Sequence, residues 1–269
     1  MEIADKIVFV GSGNMAQAII SGILKVGAVK PKNIVCNDIY KEKIEELSKK
    51  FGIVAASDKK LALDGAGIIF LSVKPQNIKT LLDEIKPFIP AKTLVISIVA
   101  GTKTETIEKA LQNIPVIRVM PNTPALLLAG AAVLCAGKYV SPADMEKTKN
   151  LFLSVGTVKI ADESKFDAVT ALSGSGPAYV FYLCRLMAKA GQKLGLDKDT
   201  AQVLAIQTVY GAGIMLAKSG ISPDELTQKV KSPNGTTEAA LKSFESQNLE
   251  NIVYEAMKAA STRSEELSQ

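Results

Sequence analysis

A glycine-rich turn near the amino terminus joins a short apolar run directly to a helical pattern. The run Lys6–Val10 is rich in strand-forming residues, the turn covers Gly11–Asn14, and Met15–Lys25 reads as a helix. A strand that passes through glycines into a helix is typical of the first unit of a doubly wound α/β sheet. We therefore expect strands and helices to alternate in the region that follows.

Further apolar runs come after this unit, and helical stretches lie between most of them. Lys41–Phe51, for example, has the apolar spacing of an amphipathic helix. Because the strand-like runs are continuously apolar, we predict a sheet that is largely parallel and covered on both faces. The predicted strands after the first are Asn33–Asn37, Ile53–Ala55, Gly67–Val73, Thr93–Ile98, Val116–Met120, Ala131–Cys135 and Thr157–Ile160.

The pattern changes near Asp162, after which strand-type runs stop. We predict a dinucleotide-binding α/β domain over residues 1–162 and a helical domain over residues 163–269. The length of 269 residues suits two domains, since one domain usually takes about 100–150 residues. The predicted helices of the second domain are Asp167–Leu194, interrupted near its start by Gly174–Pro177, and then Thr200–Lys218, Pro223–Lys229, Thr236–Glu245 and Asn251–Leu267.

The composition limits the chemistry, because the chain has no histidine and its three cysteines are Cys36, Cys135 and Cys184. Nucleophile pairs of the Ser-His or Cys-His type are excluded, and no metal site is expected from so few and so distant thiols. We interpret the cysteines as buried thiols in a reducing compartment. The chemistry must come from a cofactor, from hydroxyls and backbone amides, or from lysines and carboxylates.

Charge and hydropathy indicate where the protein works. The net charge of +5 comes with scattered lysines, so we expect no nucleic-acid partner. The opening residues Met1–Asp5 are acidic and do not read as a signal peptide. The least polar stretch, Pro124–Gly137, is too short to span a bilayer. We expect a cytoplasmic protein with no membrane partner.

The glycine-rich turn fits the pattern G-x-G-x-x-A over Gly11–Ala16. Gly11 allows the tight turn, Gly13 lets the backbone approach a pyrophosphate, and Ala16 keeps the helix close to the strand. The free amides and the positive dipole end of the helix favour phosphate groups. A glycine triplet alone also occurs in ordinary turns, but the flanking strand and helix favour a dinucleotide cofactor.

The end of the second strand leaves the choice of coenzyme open. Asp38, which follows Asn37, lies 25 residues after Gly13, close to the spacing of about 20 at which an acidic residue binds the ribose hydroxyls. A carboxylate there favours NADH and repels a 2′-phosphate. Lys41 and Lys43 follow at once, and they either hold that phosphate or are solvated residues of a helix start.

Two further segments follow predicted strands at the edge where doubly wound sheets bind ligands. Val73–Gln76 follows the fourth strand, and Ala100–Gly101 follows the fifth. We interpret both as cofactor contacts, although Lys74 alone also reads as an ordinary surface residue.

Four segments carry a resemblance to one known family. They are Ser97–Thr102 (SIVAGT), Arg118–Pro124 (RVMPNTP), Leu172–Tyr179 (LSGSGPAY) and Ser232–Thr237 (SPNGTT). With the glycine-rich turn they cover almost the whole chain in the order found in pyrroline-5-carboxylate reductases, and the last two are highly specific. The chain departs from the family at Asn234, where a glycine is usual. Asn tolerates left-handed backbone better than most residues, so we expect the turn to be kept.

The resemblance implies an α/β Rossmann-like amino-terminal domain followed by an all-α carboxy-terminal dimerisation domain that forms an interlocked homodimer. Such dimers often assemble further into a decamer. The implied cofactor is NADPH or NADH, and the implied substrate is 1-pyrroline-5-carboxylate, a cyclic imino acid that is reduced to L-proline.

The resemblance also implies that two loops of the second domain bind the substrate, where Thr237 is the candidate catalytic residue that hydrogen-bonds the ring nitrogen. The hydroxyls of these loops alternatively act as helix caps. The predicted substrate-binding residues are Ser173, Gly174, Ser175, Gly176, Ser232, Gly235, Thr236 and Thr237. The predicted cofactor-binding residues are Gly11, Ser12, Gly13, Asn14, Met15, Ala16, Asn37, Asp38, Val73, Lys74, Pro75, Gln76, Ala100, Gly101, Met120 and Asn122.

Two rival interpretations share the first glycine motif. A β-hydroxyacid dehydrogenase has a lysine four residues after a second-domain G-x-G, but Val180 stands at that distance after Gly176. A non-catalytic dinucleotide-binding sensor would not need the loops of the second domain, and those loops are present here.

Overall fold

The structure, a computed structural model, describes residues 5–268. Residues 1–4, on which part of the signal-peptide expectation rests, lie outside this range. Within the described range the strands are β1 (Lys6–Val10), β2 (Ile34–Asn37), β3 (Val54–Ala55), β4 (Ala66–Leu71), β5 (Leu94–Ser97), β6 (Val116–Met120), β7 (Gly130–Ala136) and β8 (Gly156–Ile160). The α-helices are α1 (Asn14–Lys25), α2 (Lys41–Phe51), α3 (Lys59–Leu63), α4 (Ile78–Ile85), α5 (Thr104–Ala110), α6 (Pro142–Leu153), α7 (Phe166–Val169), α8 (Gly176–Lys193), α9 (Lys198–Lys218), α10 (Pro223–Val230), α11 (Thr236–Ser246) and α12 (Leu249–Leu267).

All eight strands belong to one sheet, in the order β3-β2-β1-β4-β5-β6-β7-β8. Neighbouring strands from β3 to β6 are parallel, β7 is antiparallel to β6, and β8 is parallel to β7. The prediction of a largely parallel sheet is confirmed. The antiparallel direction of β7 has a simple cause, because only residues 121–129 connect β6 to β7. A parallel crossover needs about a dozen residues or more, usually with a helix.

The central strands are buried on both faces, as their continuous apolar runs predict. Ile7 and Phe9 of β1 point into one core, and Val8 and Val10 point into the other. Phe9 stacks on Phe70 of the neighbouring β4 with ring centroids 4.4 Å apart. Stacked aromatic pairs of this kind stabilise a core beyond the burial of their area. The two cores hold β1 and β4 in place, and the loops that follow these strands begin the site described below.

The chain separates into two compact units. The first ends at Gly174 and also takes in the residues from Ala260 onward, and the second is Ser175–Ala259. The predicted boundary near Asp162 stays a prediction. The expected interruption of the long helix is seen, since α7 passes into a π-helical turn over Thr170–Gly174 before α8 begins. Side-chain hydroxyls within this turn bond to carbonyls four residues back, which favours a distorted helix.

The second unit leaves many large apolar side chains exposed. They include Phe181 at 68% exposed, Tyr182, Leu204, Ile206, Tyr210, Phe244, Ile252 and Tyr254. Among the described residues, one helix, α9, passes a length-and-hydropathy test for crossing a membrane. Large exposed apolar side chains in this number are typical of a region that contacts a partner.

Candidate cofactor and substrate site

The carboxyl ends of the parallel strands bring five predicted segments to one edge of the sheet. The strand order reverses between β1 and β4, which are neighbours although two strands separate them in the sequence. Doubly wound sheets bind dinucleotides in the crevice at such a switch point. The segments at this edge are Gly11–Ala16, Asn37–Asp38, Val73–Gln76, Ala100–Gly101 and Met120–Asn122.

Gly11 makes the tight turn that its place in the motif predicts. Its φ is +107°, and a Cβ there would lie 2.5 Å from the carbonyl oxygen of Ser72. Ser72 itself was missed by the sequence analysis. Its hydroxyl lies 3.0 Å from the Val10 carbonyl oxygen and 2.8 Å from that of Gly11, so the loop after β4 holds the glycine-rich turn. Only the folded sheet brings Ser72 next to this turn.

The start of α1 is open for a ligand. Gly13 is the N-cap, no side chain caps the helix, and its first turn holds no acidic residue. A Cβ at Gly13 would meet nothing within 4 Å. Ala16 is fully buried against the sheet. Uncapped amides, the positive helix end and free space are what a pyrophosphate requires, so these residues fit a dinucleotide.

Asp38 is bound to the glycine-rich turn. One of its carboxylate oxygens accepts hydrogen bonds from the Ser12 amide at 2.7 Å and from the Ser12 hydroxyl at 2.6 Å. The other oxygen accepts from the Tyr40 amide at 3.1 Å. Burial alone would raise the pKa of this carboxyl, but the hydrogen bonds from Ser12 and Tyr40, with the nearby Lys43, lower the pKa below its usual value. Asp38 therefore carries a negative charge beside the turn.

Other predicted cofactor residues differ in what they contact. Asn37 is buried, and its side chain donates to the Ala56 carbonyl at 2.7 Å. Residues 74–76 are exposed at the site edge. Gly101 has a φ of +75°, and a Cβ there would lie 2.7 Å from the carbonyl oxygen of Leu267. The end of α12 thus packs on the loop after β5, which sequence patterns gave no means to predict. The cofactor contacts of these residues stay predictions.

A buried ion pair supports the same edge. The Arg118 guanidinium lies 3.1 Å from a carboxylate oxygen of Glu163, and its side chain is 5% exposed. Glu163 also accepts from the amide of Thr104 at 2.9 Å and from its hydroxyl at 2.8 Å. The Arg118 guanidinium stacks over the Phe166 ring. This network joins β6, the start of α5 and the turn before α7.

The end of β6 also contacts the π-helical turn. The Asn122 side chain donates to the Ser173 carbonyl at 3.1 Å and accepts from the Ala131 amide at 2.8 Å. The Ser173 hydroxyl donates to the Val169 carbonyl at 3.1 Å, so it does not cap α8. Gly174 packs against the methyl end of Met120.

The loop before α11 adopts the turn that was expected despite its departure from the family pattern. Asn234 has a φ of +59°, which confirms that it takes the left-handed conformation. Its amide donates to the Glu238 carboxylate at 2.6 Å. The N-cap Gly235 brings no side-chain cap, and Thr237 is half-buried. Because no side chain caps α11, the Thr237 hydroxyl and the amides of Thr236 and Thr237 remain available for a ligand.

Two of the three cysteines are buried thiols that are poorly suited to nucleophilic chemistry. Burial, reinforced by Asp38, raises the pKa of Cys36 to about 12. Burial, with Glu163 as the next cause, raises the pKa of Cys135 to about 11. Cys36 and Cys135 are buried as predicted, whereas Cys184 on α8 is only partly buried. Thiols with raised pKa values are poor nucleophiles at neutral pH.

The doubly wound sheet and the uncapped start of α1 define a dinucleotide-binding α/β protein. A relative from Pseudomonas aeruginosa, named pyrroline-5-carboxylate reductase, is 43% identical over 98% of this chain and 97% of its own length. The chain belongs to the pyrroline-5-carboxylate reductase family.

Family models and solved structures agree with this membership. A family described as pyrroline-5-carboxylate reductase dimerisation matches residues 163–267, and one described as NADP oxidoreductase, coenzyme F420-dependent, matches residues 6–101. A pyrroline-5-carboxylate reductase structure from Coxiella burnetii has a TM-score of 0.94 at 37% identity, covering 99% of this chain and all of its own. A Plasmodium falciparum pyrroline carboxylate reductase with NADP bound has a TM-score of 0.86 at 29% identity, and both chains are fully covered. The predicted fold class is confirmed.

Proposed function

We propose that this protein reduces 1-pyrroline-5-carboxylate to L-proline with hydride from NADPH or NADH, the last step of proline synthesis. The observation that carries the proposal is the family membership over nearly the full length of the chain, which includes both the glycine-rich turn and the helical loops. Relatives from Pseudomonas aeruginosa, Bacillus subtilis and Arabidopsis thaliana bear the name of this activity.

The cofactor is assigned to the open start of α1. Its uncapped amides would hold the pyrophosphate, and the free space at Gly13 permits the close approach. When bound, the cofactor supplies the hydride that reduces the imine carbon. Asp38 directly follows β2, at the position where the adenosine ribose is expected, and its negative charge disfavours a 2′-phosphate. Lys43 over the Tyr40 ring offers a compensating positive charge.

The substrate carboxylate is assigned to the start of α11. Thr236 and Thr237 provide backbone amides at a positive helix end without a side-chain cap, whereas the Gly235 amide already donates to the Ser232 carbonyl at 3.0 Å. The Thr237 hydroxyl acts as a positioning donor to the ring nitrogen, or as part of a relay from water, since a threonine hydroxyl is a poor acid by itself. Holding the ring in this way removes much of the entropic barrier to hydride transfer.

The second unit is assigned to self-association. Its exposed apolar side chains and the match of residues 163–267 to a dimerisation family support a homo-oligomer. We propose a homodimer that can assemble further into a decamer, in the cytoplasm. Light scattering on the purified protein gives the assembly mass as a multiple of the 28.6 kDa chain. Fractionation of cells that produce the chain tests its location.

A turnover assay separates the proposal from its rivals. NADPH and NADH oxidation is followed with 1-pyrroline-5-carboxylate, and NADP⁺ and NAD⁺ reduction with β-hydroxy acids. The proposal requires turnover with the imine. Turnover with a β-hydroxy acid alone would support the dehydrogenase alternative, which Val180 disfavours because valine carries no proton-transferring group. Cofactor binding without any turnover would support the sensor alternative.

A further inference from the structure

Asn122 occupies an unusual place, because both ends of its carboxamide bind the protein itself. The oxygen accepts from the Ala131 amide at 2.8 Å, and the nitrogen donates to the Ser173 carbonyl at 3.1 Å. Ala131 belongs to β7, and Ser173 belongs to the π-helical turn. One side chain at the end of β6 therefore connects a rigid sheet to an irregular turn.

The turn that Asn122 reaches lacks regular helical geometry. Thr170 and Ser173 use their hydroxyls to bond the carbonyls of Phe166 and Val169. Such side-chain bonds compete with the normal helical ladder and bend it. π-helical turns occur often at functional sites, where they redirect a carbonyl or a side chain. A contact from outside the turn adds to these local bonds in holding its geometry.

A second contact reaches the same turn from the same strand. Met120 lies so close to Gly174 that a Cβ added at Gly174 would come within 2.7 Å of the Met120 methyl carbon. Met120 is the last residue of β6, and Asn122 lies two residues further on. The sheet thus fixes the turn by packing at Gly174 and by a directional hydrogen bond at Ser173.

We infer that Asn122 is a positioning residue that acts through the Ser173 carbonyl to fix the turn from which α8 starts. The cofactor contact predicted for Asn122 from the sequence stays a prediction, while the nitrogen and the oxygen of its carboxamide each already hold one partner within the protein. The inference rests on the proposed function and on the expectation, implied by the family resemblance, that Ser173, Gly174, Ser175 and Gly176 contact the substrate. Asn122 then governs substrate alignment while leaving cofactor affinity unchanged.

The substitution Asn122→Asp tests this role with a minimal change of shape. The remaining oxygen still accepts from Ala131, whereas the donor to Ser173 is replaced by a second oxygen that faces a carbonyl. We expect kcat/KM for 1-pyrroline-5-carboxylate to fall by about tenfold or more, since a misplaced substrate contact is costly. The NADPH dissociation constant, measured by calorimetry on the free enzyme, should stay within about twofold of wild type.

A matched control is Asn113→Asp. Asn113 is exposed, lies before β6 and away from the site edge, and has a φ of +66° that aspartate also tolerates. This variant should keep wild-type kcat/KM and cofactor affinity. Should Asn122→Asp fail to fold, Asn122→Gln replaces it, because it keeps both hydrogen-bonding groups and displaces them by one methylene.

Hydrogen exchange gives a readout that does not depend on activity. In Asn122→Asp the amides of residues 170–178 should exchange faster than in wild type, while those of residues 11–17 stay unchanged. A parallel loss of NADPH affinity, or unchanged kcat/KM and unchanged exchange, would overturn the inference. If the wild-type protein does not reduce the imine, the proposed function fails, and the exchange data alone then decide whether Asn122 fixes the turn.

Discussion

Asp38 and Ser12 are joined by two hydrogen bonds, because one carboxylate oxygen accepts from both the amide and the hydroxyl of Ser12. The pair ties the end of β2 to the glycine-rich turn after β1. It also keeps the pKa of the Asp38 carboxyl below its usual value, against the effect of burial. The same carboxylate therefore shapes the turn and sets the charge where the coenzymes differ.

Replacing Asp38 should change the coenzyme preference. In Asp38→Ser the negative charge is removed, so the ratio of kcat/KM with NADPH to kcat/KM with NADH should rise by about tenfold. Affinity for both coenzymes should also fall, because the Ser12 turn loses its acceptor. If this ratio of kcat/KM values does not change, residues other than Asp38 recognise the adenosine ribose. Lys43→Ala is the matched comparison, and it should lower the same ratio.

Substitutions at the two glycines of the motif should affect different properties of the protein. Gly13→Val introduces a side chain into open space, so the protein should fold while its cofactor dissociation constant rises by about tenfold or more. Gly11→Ala places a Cβ against the Ser72 backbone at a positive φ, so this variant should lose stability. Thermal unfolding and calorimetric titration with NADPH separate the two effects. Normal cofactor affinity in a folded Gly13→Val variant would show that this turn has a structural role and does not bind the cofactor.

The buried pair of Arg118 and Glu163 should contribute to stability. Glu163→Gln keeps the shape but removes the charge beside a buried guanidinium, so the free energy of unfolding should fall by about 1–3 kcal/mol. Glu105→Gln breaks the exposed pair of Glu105 and Lys109, and denaturant unfolding should hardly change. Equal effects in the two variants would contradict a special role for the buried pair.

Thr237 should matter for the substrate and not for the cofactor. Thr237→Val keeps the shape and deletes one donor, so kcat/KM for the imine should fall about tenfold to a hundredfold, the effect of losing about 1–3 kcal/mol. A positioning role leaves the form of the pH profile unchanged, whereas direct proton donation would alter it. Ser173→Ala is the comparison, because that hydroxyl already bonds Val169. Full activity in Thr237→Val would contradict this role. It would mean that backbone amides and water orient the substrate without the Thr237 hydroxyl.

The sequence predicted the features that depend on local pattern. All eight strands, the open helix start at Gly13 and the left-handed turn at Asn234 follow from apolar runs, glycine spacing and backbone tolerance. It could not predict contacts between distant segments. The order of the strands brings Ser72 next to Gly11. The packing of α12 brings Leu267 next to Gly101. The same holds for Asn122 and Ser173, whose bond no spacing rule describes.

Transfer of an isotopic label tests the central claim most directly. The protein is incubated with 1-pyrroline-5-carboxylate and with NADPH or NADH that carries deuterium at the transferable position of the nicotinamide ring. The account predicts L-proline with one deuterium at the carbon that formed the imine bond, and one cofactor oxidised for each proline formed. Cofactor binding with no labelled proline, or proline without deuterium, would contradict it.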